Sequence, residues 1–419
     1  MSRLSSLSTI VAAVALLAAC ADQRPAPTGL GVSASRNGVP FSEGLASPAW
    51  QEKAAGLVSQ AGFNPQMATH AYPLLGVAQY LAVQRAEAAN GGTDVADVAS
   101  GIGIGAGGRD RLELDRGAVA GASAVVLTYL FPAQAQASAD MVEAQANAGP
   151  GGPQPAFARG EIVGRAVGAE IVARAQGDGF TRPFTGTIPI GSGLWISNTT
   201  PATIAGGQLP GVTPWFLTSA SQFRSGPPPA FGSAAFVTAR DEIRQIAETR
   251  TAEQIAIAAY WALSVGTPTT AGFWLQVATD GIDQHSLSER DATHLYALLS
   301  TTMFDAQISC WDAKETYWYI RPWQADPLIT VVAAVGKPNH PSYPSGHSCL
   351  SAAGADVLST FFPEQHDRLD AMVAEAGLSR MYGGIHYRFD IEAGQTLGRN
   401  VARFTIAADA SGNSVLTPQ

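Results

Sequence analysis

His340-Pro-Ser-Tyr-Pro344-Ser345-Gly346-His347 runs directly into an apolar pattern of helical period, Leu350, Ala353, Val357 and Phe361. A polar, proline-punctuated loop followed by that period places Ser345 and Gly346 at a helix N-terminus. The first backbone N–H groups of a helix have no partner inside it, and the helix dipole adds positive potential there, so this end attracts an anion. Glycine lets the backbone approach a ligand closely. Ser345 adds a hydroxyl and His347 a titratable ring. Read alone, the stretch is equally an ordinary serine cap beside a surface histidine.

Two flanking segments change that balance. Lys314-Glu-Thr-Tyr-Trp-Tyr-Ile-Arg321-Pro322 separates two cations by seven positions. On a continuous helix they lie within roughly 20° of each other and about 10 Å apart along the axis, so both can converge on one anion. A planar guanidinium and a point-charge ammonium form a common pairing for phosphate-like groups. Pro322 is expected to end or kink the helix. Trp311, Tyr317, Trp318, Tyr319 and Trp323 crowd the segment, which argues against a solvated basic stripe.

Downstream, Ser379-Arg380 and His386-Tyr-Arg-Phe-Asp390 precede Leu397, Val401, Phe404 and Ala408 at helical spacing. His386 is expected to open that helix, with Asp390 one turn on along the same face. A carboxylate there fixes the imidazole tautomer and raises the basicity of its far nitrogen, which suits a nucleophile or a ligand.

Around these segments the chain reads as helical. Hydrophobic residues make up 46% of the 419 and charged residues 14%, against about 25% charged in an average soluble protein. A large core follows, and 44 glycines and 26 prolines imply long loops. Helical patterns run over Met67–Asn90 (Leu74, Ala78, Leu81, Arg85), over Arg111–Ala148 with a break at Pro132, and over Arg159–Gln176 (Ile162, Ala166, Ala169, Ala173). Small residues on these faces suit close helix packing. Gly179–Pro229 is an irregular Gly-, Pro-, Thr- and Trp-rich stretch. Thr251 with Gln254, and Ser286 with Glu289, mark helix starts as capping boxes. No strand-rich region or repeat stands out, so the fold class is all-α, a helical bundle with long irregular loops.

The net charge of −9 and the lack of any Lys/Arg run argue against a nucleic-acid partner. Gly101-Ile-Gly-Ile-Gly-Ala-Gly-Gly108 mimics a dinucleotide loop, but no strand pattern precedes it, and a flexible loop is expected. No Cys/His spacing suits zinc. Arg3, the short apolar run Ile10–Leu17 and Leu17-Ala18-Ala19-Cys20 read as a secretory leader ending in a lipobox-like site. Residues 1–19 are then a leader, Cys20 the lipidated residue, 20–48 a tether and 49–419 one helical domain. That domain divides into an N-terminal half, about 49–230, and a catalytic half, about 231–410. The expected location is the cell envelope facing the periplasm, on the outer membrane, with the membrane met only through the lipid. Cys310 and Cys349 are expected as buried thiols, and His70, His285, His294 and His366 as structural or exposed.

In chain order, Lys314-x6-Arg321-Pro322, Pro344-Ser345-Gly346-His347 and Ser379-Arg380-x5-His386-x3-Asp390 resemble the signature of the vanadium-dependent haloperoxidase and type 2 phosphatidic acid phosphatase superfamily. The motifs span 314–390, with weaker likeness back to about Trp195. The resemblance implies that His386 bonds the vanadium or phosphorus atom. Lys314, Arg321 and Arg380 would neutralise its oxygens, and Ser345 and the Gly346 amide would donate to them. His347 would be the acid–base, and Asp390 would orient His386.

Vanadate is the implied cofactor, and phosphate fits the same pocket. The implied activity is oxidation of halide by hydrogen peroxide to a hypohalous species for an organic acceptor. Hydrolysis of a phosphate ester through a phosphohistidine on His386, or a non-catalytic oxyanion-binding lipoprotein, are the alternatives. His340, seven residues before His347, stands where bromide- and iodide-oxidising relatives often carry histidine. Only 31 residues separate His347 from Ser379, a short connection shared with soluble bacterial acid phosphatases, which leaves the substrate channel open.

Overall fold

Thirteen α-helices carry the described residues of the chain, which are 44–90, 106–148, 152–412 and 414–417 of a computed structural model. The leader, Cys20 and most of the tether lie outside the described residues, as does the 101–105 part of the glycine run. The rest of that run, Ala106-Gly-Gly108, is already helical rather than loop. No strand occurs among the described residues; one isolated antiparallel bridge joins Leu194 to Tyr319.

The N-terminal helices are α1 (Ser47–Gln60), α2 (Pro65–Ala89), α3 (Ala106–Leu130), α4 (Ala135–Ala146) and α5 (Pro155–Gly177). The buried Glu289 carboxylate accepts from the amides of Ala46 and Ser47 at 2.5 and 2.9 Å, which ties the start of α1 to the body. The α3–α5 contact is backbone against backbone. A Cβ on Gly160 would lie 1.9 Å from the Leu114 carbonyl oxygen, one on Gly164 2.0 Å from that of Ala118, and one on Gly117 2.0 Å from that of Phe157. This corrects the face read from the sequence. Ile162, Ala166, Ala169 and Ala173 are exposed, and the buried row is Phe157, Gly160, Gly164, Val167, Gly168 and Ile171. On α2, Leu74 and Ala78 are buried as expected, whereas Arg85 is exposed and pairs with Glu170.

Residues 178–233 form the long irregular strap, interrupted by one 3-10 turn at Leu209–Gly211. It is pinned at two buried points. Asp305 accepts from the amides of Trp215, Phe216 and Leu217 at 2.7–3.0 Å, and His70 Nε2 meets Asp178 at 2.7 Å with its ring stacked on Phe180. Both residues therefore serve the scaffold.

The remaining helices are α6 (Ala234–Thr249), α7 (Ala252–Tyr260), α8 (Thr269–His285), α9 (Glu289–Tyr317), α10 (Pro322–Ala325), α11 (Gly346–Phe361), α12 (His366–Tyr382) and α13 (Arg388–Ala410). Thr251 and Gln254 form the expected capping box of α7. The other expected box is displaced: Ser288 caps α9, accepting from the Asp291 amide, while Ser286 is the left-handed residue closing α8 at φ 50°. Helix α9 is buried along almost its whole length and packs against α2, α11 and α13, so it links the two ends of the molecule. Helix α13 lies directly on α11, because Gly394 and Gly398 admit its backbone; a Cβ on Gly398 would stand 2.2 Å from the Cys349 carbonyl oxygen.

A buried cationic site around His386

The site gathers where the C-terminal end of α9, the N-terminal ends of α11 and α13, and the last turn of α12 meet. Lys314 and Arg321 reach it by a different route from the one their spacing suggests. Helix α9 ends at Tyr317, and Trp318 takes a left-handed conformation (φ 48°). The chain then runs extended beside the strap, with Trp195 N donating to Trp318 O and Ile320 N to Gly193 O. Arg321 is the residue before α10, and Pro322 starts that helix instead of ending one. The expected shared helix face does not exist, yet the reversal brings both head groups to one place.

Arg321 is fully buried and bridges two histidines. Its Nη1 donates to Ile385 O at 2.8 Å and to His386 Nε2 at 3.0 Å. Its Nε donates to His340 O and its Nη2 to His340 Nδ1, at 3.0 and 3.1 Å. A guanidinium can only donate, so His386 Nε2 must present its lone pair and the proton sits on Nδ1. That proton is held by Asp390 Oδ2 at 2.8 Å. His386 lies two residues before the first turn of α13 and does not open the helix itself; Asp390, in that turn, reaches back to it. The same oxygen also accepts from Ser342 Oγ at 2.6 Å and from the Tyr387 amide at 3.1 Å. Ser342 and Trp311 are site residues given no role from the sequence. Trp311 lies 4.9 Å, ring to ring, from His340, and its indole covers Gly346.

Ser345 caps α11, and Gly346 and His347 are its first two residues, so their amides have no helical partner. Ser345 N donates to Asp390 O at 2.9 Å, which locks the α11 end to the α13 end. The Nε2 of His347 is buried and meets no protein partner. Arg380 donates Nε to Ser379 Oγ at 2.8 Å and Nη2 to Ala258 O at 3.0 Å. Lys314 Nζ donates to the carbonyls of Pro341, Ser342 and Pro344 at 2.8, 3.0 and 2.5 Å. Cys310 and Cys349 are buried and free behind it.

Charge dominates this arrangement. Three buried cations, Lys314, Arg321 and Arg380, face one buried carboxylate, Asp390. Burial lowers Lys314 to about 8, Arg321 to about 10 and Arg380 to about 9. Burial likewise lifts Asp390 to about 6, against the pull of Ser342, Lys314 and Arg321. His340, His347 and His386 are pushed well below the usual imidazole range, first by burial and then by the neighbouring cations. At neutral pH the cluster is cationic with three neutral histidines. A tetrahedral oxyanion matches it in sign, in the donors at the α11 N-terminus and in the unpartnered His347 nitrogen, so the residues present fit vanadate or phosphate. No group of three or more His, Cys, Asp or Glu among the described residues could hold a metal cation.

The PAP2 superfamily matches residues 293–410. A non-specific acid phosphatase of Providencia stuartii is 33% identical over 112 residues, which are 26% of this chain and 45% of that protein; the chain thus spans under half the length of this relative. Among solved structures, a bacterial vanadium-dependent iodoperoxidase superposes with TM-score 0.70 at 23% identity, covering 86% of this chain and 95% of that one. A bacterial vanadium-dependent chloroperoxidase in its holo form gives TM-score 0.64 at 14% identity, covering 84% and 94%. The chain carries a PAP2-superfamily segment at 293–410 and has the all-α fold of the vanadium-dependent haloperoxidases.

Proposed function

We propose that this chain is a vanadate-dependent haloperoxidase that oxidises a halide, bromide or iodide in preference to chloride, with hydrogen peroxide. The observation that carries the reading is the buried cationic excess around a histidine whose Nδ1 proton is held by Asp390 and whose Nε2 lone pair accepts from Arg321 until an oxyanion takes that place. Vanadate, when bound, supplies a Lewis acid that activates peroxide towards halide. Within the protein, His386 Nε2 would hold the oxyanion. Arg380, the Arg321 guanidinium and the Gly346 and His347 amides would neutralise its oxygens. His347 Nε2, neutral and unpartnered, would take a proton from the incoming acid and return it to the departing oxygen. Trp311 and His340 would exclude water from the side facing Gly346 and Arg321. The halide preference rests on His340, which touches Arg321 directly. Similarity along most of the chain to haloperoxidase folds, including the N-terminal helices, supports this reading over a phosphatase.

A second reading has its own support, the 33% identity over 112 residues with a non-specific acid phosphatase. In that reaction His386 Nε2 attacks phosphorus, the bond to the alcohol oxygen breaks, and His347, protonated once the bound phosphate offsets the neighbouring cations, delivers that proton to the leaving alcohol. Water activated by His347 then cleaves the phosphorus–nitrogen bond. The test is to purify the chain free of phosphate and measure bromination of an organic acceptor by peroxide and bromide, with and without vanadate. A generic phosphate ester is assayed in parallel. Bromination that requires vanadate is the expected result. Ester hydrolysis blocked by vanadate would replace it with the phosphatase, and silence in both assays would leave an oxyanion-binding lipoprotein. His386→Ala should lower either activity by at least about 100-fold. The envelope location suggested by Cys20 is a separate proposal, checked by a lipid adduct on the N-terminus of the mature protein.

A further inference from the structure

We infer that Asn339 is a positioning residue for halide selection: it clamps the turn 197–203 of the strap and, through the strap, fixes the wall that Trp311 and His340 form beside the oxyanion. The side-chain amide of Asn339 meets the strap on both of its ends. Its Oδ1 accepts from the Asn198 amide at 2.7 Å and meets Ser197 Oγ at 3.4 Å. Its Nδ2 donates to Thr203 O and Thr203 Oγ1 at 3.0 and 3.2 Å. A carboxamide has two N–H donors and one oxygen with two lone pairs, so the whole group is committed to this one turn. Asn198 Nδ2 returns a bond to Lys337 O at 2.9 Å. Residues 198–203 are exposed, so directed hydrogen bonds rather than burial seat the turn.

The main chain carries this constraint into the site. The Ala205 amide donates to Asn339 O at 2.9 Å, and the Ala205 carbonyl accepts from Trp311 Nε1 at 2.8 Å. One strap residue therefore stands between residue 339 and the Trp311 indole, and it spaces that indole from the next residue, His340, at 4.9 Å ring to ring. Gly206 permits the approach. Its φ is 80°, and a Cβ there would stand 2.5 Å from Trp311 Nε1. On the far side His340 is held by Arg321, through its carbonyl oxygen and its Nδ1. Residue 339 thus faces the strap while residue 340 faces the site. The bonds of Asn339 go to the strap, away from the cations and from His386. Loss of the clamp should therefore loosen the wall a halide meets and leave the groups that hold the oxyanion in place.

The halide part of this inference rests on the haloperoxidase reading, whereas the clamp is read without any anion. Asn339→Ala should raise the KM for bromide at least about 10-fold, with kcat at saturating bromide and the vanadate dissociation constant within about 3-fold of wild type. Asn339→Asp keeps the acceptor for Asn198 and loses the donors to Thr203, so its KM should fall between the two. An unchanged KM, or an equal loss of vanadate affinity, would overturn the inference. The second readout is the Trp311 indole N–H in the vanadate-free full chain, identified as the resonance that Trp311→Phe removes. Its hydrogen exchange should be at least about 10-fold faster in Asn339→Ala, while the amides of α3 and α5 keep their protection. An indole rate within about 2-fold of wild type would overturn the clamp. A measurement on the unmodified chain guards against variants that do not fold. There the Trp311 indole and the Ala205 amide should be protected to the same degree, and protection differing by more than about 10-fold would also overturn the clamp. A wild type that binds vanadate and leaves bromide untouched would sink the functional reading and the halide part together, and indole exchange would still decide the clamp.

Discussion

Asp390 accepts three hydrogen bonds on one carboxylate oxygen and a fourth on its backbone carbonyl. Its Oδ2 accepts from His386, Ser342 and the Tyr387 amide, and its backbone oxygen accepts from Ser345. An amide can keep its one carbonyl oxygen on these donors, with its NH2 where the unpartnered Oδ1 lies, but it loses the negative charge. Asp390→Asn should therefore weaken the hold on the His386 Nδ1 proton and lower oxyanion affinity or turnover by about 10- to 100-fold, with little change in secondary structure. Isothermal titration with vanadate and circular dichroism check this together; unchanged affinity would remove Asp390 from the site. The His386–Asp390 pair was legible in the sequence because i, i+4 spacing across a helix start is a local constraint. The shared helix face that joins Lys314 and Arg321 in the sequence does not exist, since a left-handed Trp318 replaces the continuous helix. Ser342 was invisible because its role depends on how the loop is folded over α13, which spacing does not encode.

Elements show a second kind of illegibility. A helix face is normally found by its large apolar residues, and on α5 that search selects the row of Ile162, which is 72% exposed. The true contact with α3 is made by Gly160, Gly164 and Gly168, which look polar or neutral in any hydropathy pattern. Close approach is their function: Gly164 leaves no room for a Cβ, which would sit 2.0 Å from the Ala118 oxygen. Gly164→Ala must push two helices apart and should cost about 3 kcal/mol or more. Gly177, at the end of the same helix, has nothing within 4 Å of its virtual Cβ, so Gly177→Ala should lie within about 0.5 kcal/mol of wild type. Urea unfolding of the two variants tests the pair, and equal stabilities would refute the seam.

Asp115 in α3 offers a test with a sign. It is buried, its Oδ1 has no partner, and burial raises its carboxyl to about 8, helped by the charge of Glu87. A raised carboxylate contributes stability that is present below its unfolded value and lost as pH rises through about 8. Asp115→Asn should melt above wild type at pH 9, and the margin should narrow as pH falls below about 8 and close only near pH 4, the unfolded value. A margin independent of pH would show that Asp115 does not titrate in that window.

At the scale of the whole molecule, the scaffold tolerates a charge excess that a core of this kind would not keep without a use for it. Lys314, Arg321 and Arg380 outnumber Asp390 by two in a buried place, and taking charge out of water is costly unless it is compensated. An oxyanion that binds the folded chain and not the unfolded one stabilises by mass action, by about 2.7 kcal/mol at one hundred times its dissociation constant. Helix α9 carries Lys314 at one end and packs along its length against α2 as well as α11 and α13. The stabilisation should therefore raise a single transition shared by both ends of the molecule. Calorimetry of the phosphate-free protein, repeated with vanadate, with phosphate and with chloride at matched ionic strength, reads this directly. Vanadate and phosphate should raise the melting temperature, chloride should not, and Arg380→Gln should lose much of the gain because it removes one of the three buried cations. An equal shift with chloride would reduce the effect to ionic screening and would leave the buried cations without their anion.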